Sequence, residues 1–287
     1  MIKQFFSLTK PGIIFGNMIT VIGGFLLGAR GEIHYGVFIS TIGGIAFIIA
    51  SGCVFNNYID RDIDKLMERT KKRVLAQGLI SGAIAIIYGI VLGVCGILLL
   101  YFMTNELSLI IACIGFLVYV GFYSLWLKRG SVYGTLIGSI SGAVPPVVGY
   151  CAATNNFDMG AVTLFLILSI WQMPHSFAIA IYRFNDYLVA GIPVLPLKKG
   201  ILFTKKIMLL YVILFFIAII MLSILGYTGT LYLITATIIG IIWITLSLIG
   251  FKADVDNKIW ARKMFIFSII NITLLSIMMA IDYRIII

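Results

Sequence analysis

The sequence predicts an all-α fold, a polytopic membrane protein with nine transmembrane helices. Of its 287 residues, 61% are hydrophobic and only 11% are charged, whereas soluble globular chains carry about 25% charged residues. Uncharged apolar stretches of roughly 20 residues, long enough to cross the hydrocarbon layer as a helix, recur along the whole chain. The short alternating segments typical of membrane β-barrels do not occur in the sequence. This composition excludes a soluble enzyme, a disordered chain and a disulfide-stabilised scaffold.

Nine stretches have the length and composition of a transmembrane helix. In chain order they are Ile13–Ala29, Tyr35–Phe55, Ala83–Met103, Leu107–Leu127, Val132–Ala153, Gly160–Ile181, Ile207–Leu225, Thr230–Gly250 and Met264–Ile281. The connections between them contain no soluble domain. We therefore expect residues 1–287 to form a single transmembrane domain, with its chemistry at the ends of the helices.

The basic residues predict the orientation of the spans. If the N-terminus is cytoplasmic, every Lys and Arg except Arg30 and Arg284 falls on the cytoplasmic side. This asymmetry follows the positive-inside rule. The net charge of +10 is thereby explained by topology, so the lipid bilayer is an expected partner and nucleic acid is not.

An acidic motif follows the second span. Asn56, Asp60 and Asp64 are spaced i, i+4 and i+8, so on a helix their side chains share one face, whereas Asp62 points elsewhere. Two carboxylates and an amide beside a membrane helix repel one another unless a cation neutralises them. Oxygen ligands of this kind suit Mg²⁺, which binds through one or two carboxylates plus substrate phosphates. The alternative is a solvated loop whose lysines only obey the positive-inside rule.

Basic residues continue this segment, and a second acidic element lies further along the chain. Arg69 and Arg73 follow the aspartates closely, and Arg forks bind phosphate oxygens beside a metal. After the sixth span, Tyr182 and Asp186 are again four residues apart. Two acid-bearing helix ends that face each other are suited to hold a diphosphate through metal ions. A single aspartate at a helix end is common, so a purely structural role for the second element stays open.

Asn-x-x-x-Asp-x-x-x-Asp at the end of the second span, in a chain of nine spans, resembles the UbiA superfamily of intramembrane prenyltransferases. Longer segments resemble one of its families, the protohaem IX farnesyltransferases (haem O synthases). These segments are Leu8-Thr9-Lys10-Pro11, the run from Asn56 to Thr70, Leu127-Lys128-Arg129, the run from Ser141 to Tyr150, Trp171-Gln172-Met173-Pro174-His175, and the run from Gly191 to Pro196. The aspartate motif alone indicates only the superfamily; Trp-Gln-x-Pro-His and Pro-Pro-x-x-Gly-Tyr point to the haem family.

The resemblance implies a reaction and a location. A farnesyl group passes from farnesyl diphosphate to a vinyl group of haem B, water adds, and haem O and diphosphate are the products. The resemblance also implies a multi-pass protein of the bacterial plasma membrane, with its active site on the cytoplasmic side. Its product would pass to haem A synthase or to the assembly of a haem–copper oxidase.

The resemblance further implies roles for individual residues. Asn56, Asp60 and Asp64 match the first diphosphate–Mg²⁺ motif and Asp186 matches the second, so these four are the expected metal ligands and the three aspartates the expected catalytic carboxylates. Tyr182 stands where many members carry another aspartate, which departs from the two-metal pattern. The residues expected to bind the diphosphate are Asn56, Arg69, Arg73, Lys128, Arg129, Tyr182, Lys198 and Lys199.

His175 is one of only two histidines and directly follows Pro174 in the sixth span. An ionisable group at membrane depth indicates function, and we expect His175 to be catalytic. Three roles are open: a ligand of the haem iron, a partner of a propionate, or a base for the added water. The competing interpretation is a structural histidine hydrogen-bonded to a neighbouring helix.

Aromatic faces inside the bundle are expected to stabilise the allylic cation. The candidates, which also suit ordinary packing, are Tyr58, Tyr119, Tyr123 and Trp171.

Two other functions stay open. A UbiA-type enzyme acting on a quinone precursor or another aromatic acceptor would share the aspartate motif. A membrane transporter would instead spread ionisable residues through the membrane midplane.

Overall fold

The computed structural model describes residues 2–284 as a bundle of long helices. Within these residues, nine helical runs are long and apolar enough to cross a membrane, and the fourth of them, Glu106–Gly130, is divided among three consecutive elements. This number confirms the predicted number of spans. In chain order the elements are α1 (Ile2–Leu8), α2 (Pro11–Ala29), α3 (Tyr35–Ile59), α4 (Arg61–Asp64), α5 (Gly82–Met103), α6 (Glu106–Leu117), a π-helix (Val118–Leu127), α7 (Lys128–Gly130), α8 (Gly134–Thr154), α9 (Met159–Tyr182), α10 (Phe184–Val189), α11 (Leu195–Lys199), α12 (Ile201–Ile224), α13 (Thr230–Ile249) and α14 (Asn257–Ile281).

Several helices extend beyond the predicted edges of their spans. Helix α12 begins at Ile201 rather than Ile207, and α14 begins at Asn257 rather than Met264. The additional turns carry lysines and an arginine, which hydropathy excludes from a span. The backbone nevertheless stays helical there, and Lys205 is buried with its ammonium group donating to the backbone carbonyl of Gly250.

Polar caps define where several spans begin. The side chain of Asn105 accepts a hydrogen bond from the backbone N–H of Ser108 at 2.9 Å at the start of α6. Asp158 accepts from the N–H of Gly160 at 2.8 Å at the start of α9, and Asp256 caps α14 in the same way. These side chains satisfy backbone donors that lack a partner in the first turn of a helix.

Helices α8 and α9 lie at the centre of the bundle. Helix α8 packs against α2 and α9, and α9 packs against α12 and α14, while α3 pairs with α5 on the other side. The largest apolar core joins α8, α9, α12, α13 and α14, and it includes the fully buried Tyr150, Phe215 and Trp243. Smaller cores involve α2, α3, α5 and α8. The ends of α3, α4 and α9 converge on one end of the bundle, which we call the aspartate end after Asp60, Asp64 and Asp186.

Glycines allow α2 and α8 to approach closely. A side chain at Gly24 would place its Cβ 2.9 Å from the carbonyl carbon of Pro146, and one at Gly149 would overlap the backbone of Val21. Close backbone approach at small residues is a common way to pack helices within a bilayer. Pro146 lies inside α8 without ending it.

The glycine contact generates a stability prediction. Replacing Gly24 with Ala should lower the free energy of unfolding by about 1–3 kcal/mol, because the added methyl group forces the two helices apart. Gly16→Ala is the matched control in the same helix, since a Cβ there meets no neighbouring atom. Loss of the monodisperse gel-filtration peak of detergent-solubilised protein on heating measures both variants. Equal thermal stability of the two would contradict the packing argument.

Candidate active site

The aspartate motif keeps a helical register although α3 ends within it. Helix α3 stops at Ile59 and α4 starts at Arg61, yet the backbone N–H of Asp60 donates to the carbonyl of Asn56 at 2.9 Å and that of Asp64 to Asp60 at 2.8 Å. Asp60 and Asp64 are 0% and 1% exposed. The shared face predicted from the spacing is therefore present, and the structure shows that it is buried.

One distant and one nearby basic side chain neutralise the two buried carboxylates. Lys128, just beyond the π-helix, forms an ion pair with Oδ2 of Asp60. Arg73 donates from Nη1 to both oxygens of Asp64, at 3.0 and 2.7 Å. An ionised carboxylate removed from water requires such partners. Two of the residues predicted to bind the diphosphate thus contact the predicted metal ligands directly.

Lys10 is a site residue that sequence reasoning missed. Its ammonium group donates to the Oδ1 atom of Asn56. Its backbone is left-handed, with φ 52° and ψ 67°, directly before Pro11, a strained conformation that non-glycine residues rarely adopt. The side chain of Asn57 donates to the carbonyl of Leu8 at 2.8 Å and so ties this turn to α3. Burial lowers the pKa of Lys10 to about 8. The only signal in the sequence was the Leu-Thr-Lys-Pro segment.

The π-helix contributes the next wall of the site. Helices of this type are rare and frequently occur at functional sites. Ser124 accepts a hydrogen bond from Nδ2 of Asn56 at 3.1 Å. Tyr119 and Tyr123 stack with ring centroids 6.0 Å apart. Two of the four aromatic residues expected to stabilise a cation therefore lie on the element that also contacts the acidic motif.

The structure brings the second acidic element next to the first. The Oδ1 atom of Asp186 accepts a hydrogen bond from the backbone N–H of Glu68 at 3.1 Å. Tyr182 and Asp186 lie on two helices, because α9 ends at Tyr182 and α10 begins at Phe184. The guanidinium group of Arg183 lies 4.6 Å from the centre of the Tyr182 ring. Asp186 thus contacts the connection that follows the first motif, from a separate short helix.

An apolar contact holds the two connections together. Ile63 and Met67 pack with Ile192, and Tyr187 lies against them. Burial raises the pKa of Tyr187, and the positive charge of Arg69 opposes this shift. The charge of Arg69 therefore acts within the aspartate end, although its side chain is exposed.

Four of the residues predicted to bind the diphosphate lie at the surface, namely Arg69, Arg129, Lys198 and Lys199. Arg129 forms a two-pronged ion pair with the exposed Asp62, at 2.7 and 2.6 Å, and is 3.9 Å from Oδ1 of Asp60. This hydrogen-bonded pair lowers the pKa of Asp62 to about 2. Lys198 and Lys199 are exposed at the end of α11, and neither forms an ion pair with another residue of the 2–284 range.

The donor types at the aspartate end fit Mg²⁺, although the ligands are not gathered around one point. Residues 2–284 contain no group of three His, Cys, Asp or Glu side chains arranged to hold a metal, and Lys128 and Arg73 bind oxygens of Asp60 and Asp64. The Oδ1 atom of Asp60 is buried and has no hydrogen-bond partner, so one hard oxygen donor is open. Carboxylate and amide oxygens favour Mg²⁺ over softer metals.

His175 lies deeper in the bundle, about two turns before the end of α9. Its ring stacks on Trp171 with centroids 4.5 Å apart. Its Nδ1 atom is 2.7 Å from the hydroxyl oxygen of Ser268 in α14. The hydrogen bond to a neighbouring helix that the structural interpretation expects is therefore present, and it uses one of the two ring nitrogens.

A family model described as the UbiA prenyltransferase family matches residues 17–269. This match covers most of the chain, and the chain belongs to the UbiA prenyltransferase family. The predicted class, an all-α membrane bundle of this family, is confirmed. Membership of a prenyltransferase family argues against the transporter alternative.

Curated relatives named protoheme IX farnesyltransferase are similar to nearly the whole chain. One from Yersinia pseudotuberculosis is 58% identical over 285 residues, which are 99% of this chain and 96% of the relative. One from Photorhabdus laumondii is 60% identical over 282 residues, which are 98% and 96% of the two chains. The resemblance to the haem family is confirmed by these relatives.

Solved structures share the fold. A structure described as digeranylgeranylglyceryl phosphate synthase has a TM-score of 0.80 at 25% identity, covering 97% of this chain and 98% of its own. A UbiA homologue from Archaeoglobus fulgidus, bound to GPP and Mg²⁺, has a TM-score of 0.65 at 16% identity, covering 96% and 99%. At that identity the second structure shows the fold alone.

The buried ion pair generates a prediction on stability. Lys128→Met should cost about 3–5 kcal/mol of unfolding free energy, because it leaves the carboxylate of Asp60 buried without its cation. Adding Asp60→Asn to this variant should recover most of the loss, since the stranded charge is removed. Thermal unfolding in detergent measures both.

Arg129→Met is the matched control for this experiment. Its pair with Asp62 is exposed, so its removal should cost about 0–1 kcal/mol. A double variant as unstable as Lys128→Met alone would mean that the charge of Asp60 is not the cause.

Proposed function

We propose that this chain transfers the farnesyl group of farnesyl diphosphate to a vinyl group of haem B, with addition of water, and releases haem O and diphosphate. The observation that carries this proposal is the 58–60% identity, over nearly the whole chain, to relatives named for this activity. The convergence of buried acidic and basic groups at one end of the bundle supports a diphosphate donor. We further propose a single domain over residues 1–287.

The diphosphate of the donor binds at the aspartate end by exchanging partners. Lys10, Lys128 and Arg73 now pair with Asn56, Asp60 and Asp64 respectively. A bound diphosphate presents competing negative charge, so these cations turn to its oxygens and free the three oxygen donors for metal. Such cations stabilise a phosphate group through charge-assisted hydrogen bonds.

Asn56, Asp60, Asp64 and Asp186 would hold the Mg²⁺. When bound, Mg²⁺ neutralises charge on the diphosphate and makes it a better leaving group. The remaining predicted diphosphate ligands are Arg69, Arg129, Tyr182, Lys198 and Lys199. Lys198 and Lys199 are exposed in this structure, so they reach a diphosphate only if α11 or the donor moves toward them.

The interior beside the acidic motif suits the cationic carbon that forms as diphosphate leaves. The stacked faces of Tyr119 and Tyr123 lie on the element that contacts Asn56. Aromatic faces attract cations most strongly where water is excluded. Trp171, further inside the bundle beside His175, is placed to meet the acceptor rather than the diphosphate.

The proposed setting is the bacterial plasma membrane. The N-terminus and the aspartate end lie on the cytoplasmic side, supported by the distribution of Lys and Arg. Haem O would pass from here to haem A synthase or to the assembly of a haem–copper oxidase.

The proposed function is tested by pigment analysis. The chain is expressed in a bacterial host that lacks its own haem O synthase, and extracted haems are resolved by reverse-phase chromatography with mass detection. A haem heavier than haem B by one farnesyl group plus water is expected from the wild type. Asp60→Ala and Asp64→Ala should yield none, because each removes a charged donor for metal and diphosphate.

Asp62→Ala is the matched control, since Asp62 is 62% exposed and faces away from the motif. It should retain most of the haem O. If well-inserted wild-type protein yields only haem B and instead prenylates 4-hydroxybenzoate, the acceptor is a quinone precursor rather than haem B. Equal loss at Asp62 would contradict the role assigned to the buried face.

The pKa of Lys10 generates a pH prediction. Burial lowers this pKa to about 8, so Lys10 loses its positive charge in the free enzyme as pH rises through 8. The kcat/KM for farnesyl diphosphate should fall over that range, because one cation for the diphosphate is lost. Lys10→Arg keeps its charge, since guanidinium does not deprotonate in this range. The rate of haem O formation in membranes at low farnesyl diphosphate measures both proteins, and parallel pH profiles would contradict the role of Lys10.

A further inference from the structure

Ser268 of α14 holds two side chains of α9 at once. The indole N–H of Trp171 donates to the backbone carbonyl of Ser268 at 2.8 Å, and the Nδ1 atom of His175 is 2.7 Å from its hydroxyl oxygen. Trp171 and His175 are four residues apart and therefore share a helix face. Their rings stack at 4.5 Å, and Phe265 lies 5.1 Å from the imidazole on α14. The imidazole is thus held by one hydroxyl group and two aromatic rings.

The hydrogen bonds of Ser268 determine which imidazole nitrogen carries the proton. The hydroxyl of Ser268 donates its single hydrogen to the backbone carbonyl of Phe265 at 2.6 Å. A carbonyl oxygen only accepts, so this hydrogen is not available to His175. The 2.7 Å contact is a hydrogen bond only if Nδ1 of His175 bears a hydrogen and the hydroxyl oxygen accepts it. The neutral ring then has its lone pair on Nε2.

The Nε2 atom of His175 is available to a ligand. It forms no hydrogen bond with any residue in the range 2–284, and the His175 side chain is only half-buried. With a rise of 1.5 Å per residue, it lies about 10 Å inward from the end of α9. His175 therefore lies deeper in the bundle than Tyr182 and Asp186, which belong to the proposed diphosphate site.

We infer that Ser268 is a positioning residue, and that it sets His175 so that Nε2 takes the proton of the water that adds to the prenylated haem. This inference rests on the proposed function. The bond between the first farnesyl carbon and diphosphate breaks, and its electron pair leaves with diphosphate. The vinyl π electrons form the new carbon–carbon bond and leave a cation on the vinyl carbon attached to the porphyrin. Water bonds to that carbon, its proton goes to Nε2, and His175 then releases the proton to solvent water.

The same cation has a second outcome that reports on the base. If water is not deprotonated as it adds, the cation loses a proton from the neighbouring carbon and becomes an alkene. The product is then a farnesylated haem lighter than haem O by one water. The ratio of hydrated to anhydro product therefore measures proton transfer to Nε2, whereas a purely structural role would change only the total amount.

The experiment compares four variants in the haem-extraction assay. Ser268→Ala removes the acceptor for Nδ1–H and should raise the anhydro share about tenfold. This effect is smaller than the 10²–10⁴ expected for loss of a complete general base. Ser268→Thr keeps the hydroxyl and should restore hydration. His175→Gln should give mainly anhydro product. Ser276→Ala is the matched control, because that buried hydroxyl donates only to the carbonyl of Ile272 and should leave the ratio unchanged.

A direct measurement of the tautomer does not depend on activity. The chain has only two histidines, so nitrogen-15 histidine labelling of a His34→Gln background leaves only the signal of His175 for NMR in detergent. A protonated Nδ1 in the wild type and a shift toward protonated Nε2 in Ser268→Ala are expected.

Two results would overturn the inference, and a third would overturn the proposed function instead. A protonated Nε2 in the wild type excludes the proposed tautomer. Hydrated product from Ser268→Ala and His175→Gln in the same ratio as from Ser276→Ala excludes His175 as the proton acceptor. If the wild type makes no prenylated haem of either kind, it is the proposed function that fails, and the tautomer measurement still decides the role of Ser268.

Discussion

The aspartate end depends on one constraint, which is that two ionised carboxylates are buried at the rim of an apolar bundle. Moving an ion of this size out of water costs several kcal/mol even after the protein relaxes. Asp60 and Asp64 are almost fully buried, so cations must be supplied nearby. Lys128 and Arg73 come from different connections, and each must be brought to the site by the fold. The ion pair between Lys128 and Asp60 thereby joins the acidic connection to the end of the fourth span.

The same constraint explains several local irregularities around the site. The left-handed turn at Lys10 costs conformational energy, and the hydrogen bonds of Lys10 and Asn57 compensate for it. The π-helix departs from α-helical geometry directly before Lys128. Strained or unusual backbone persists where surrounding contacts determine it, and such places cluster at functional sites. Both irregularities lie beside Asn56 and Asp60.

The bundle separates two chemical environments along its axis. Charged groups collect at the aspartate end, where a diphosphate can be neutralised. Further inside, Trp171, His175 and Phe265 form an aromatic surface with a single basic nitrogen, held by Ser268. Separation of this kind suits a reaction in which negative charge leaves on one side while a carbon cation forms on the other.

Much of the protein follows from the sequence alone. The nine spans and the shared face of Asn56, Asp60 and Asp64 were predictable, because hydrocarbon thickness and helical periodicity impose their repeat directly on the chain. Tertiary structure decided which cation meets which carboxylate, and that Lys10 belongs to the site while Arg129 pairs with Asp62. It also decided that Asp186 approaches Glu68 and that Ser268 meets His175, residues 93 positions apart. Such contacts depend on how helices pack across the bundle, and no local spacing in the sequence encodes them.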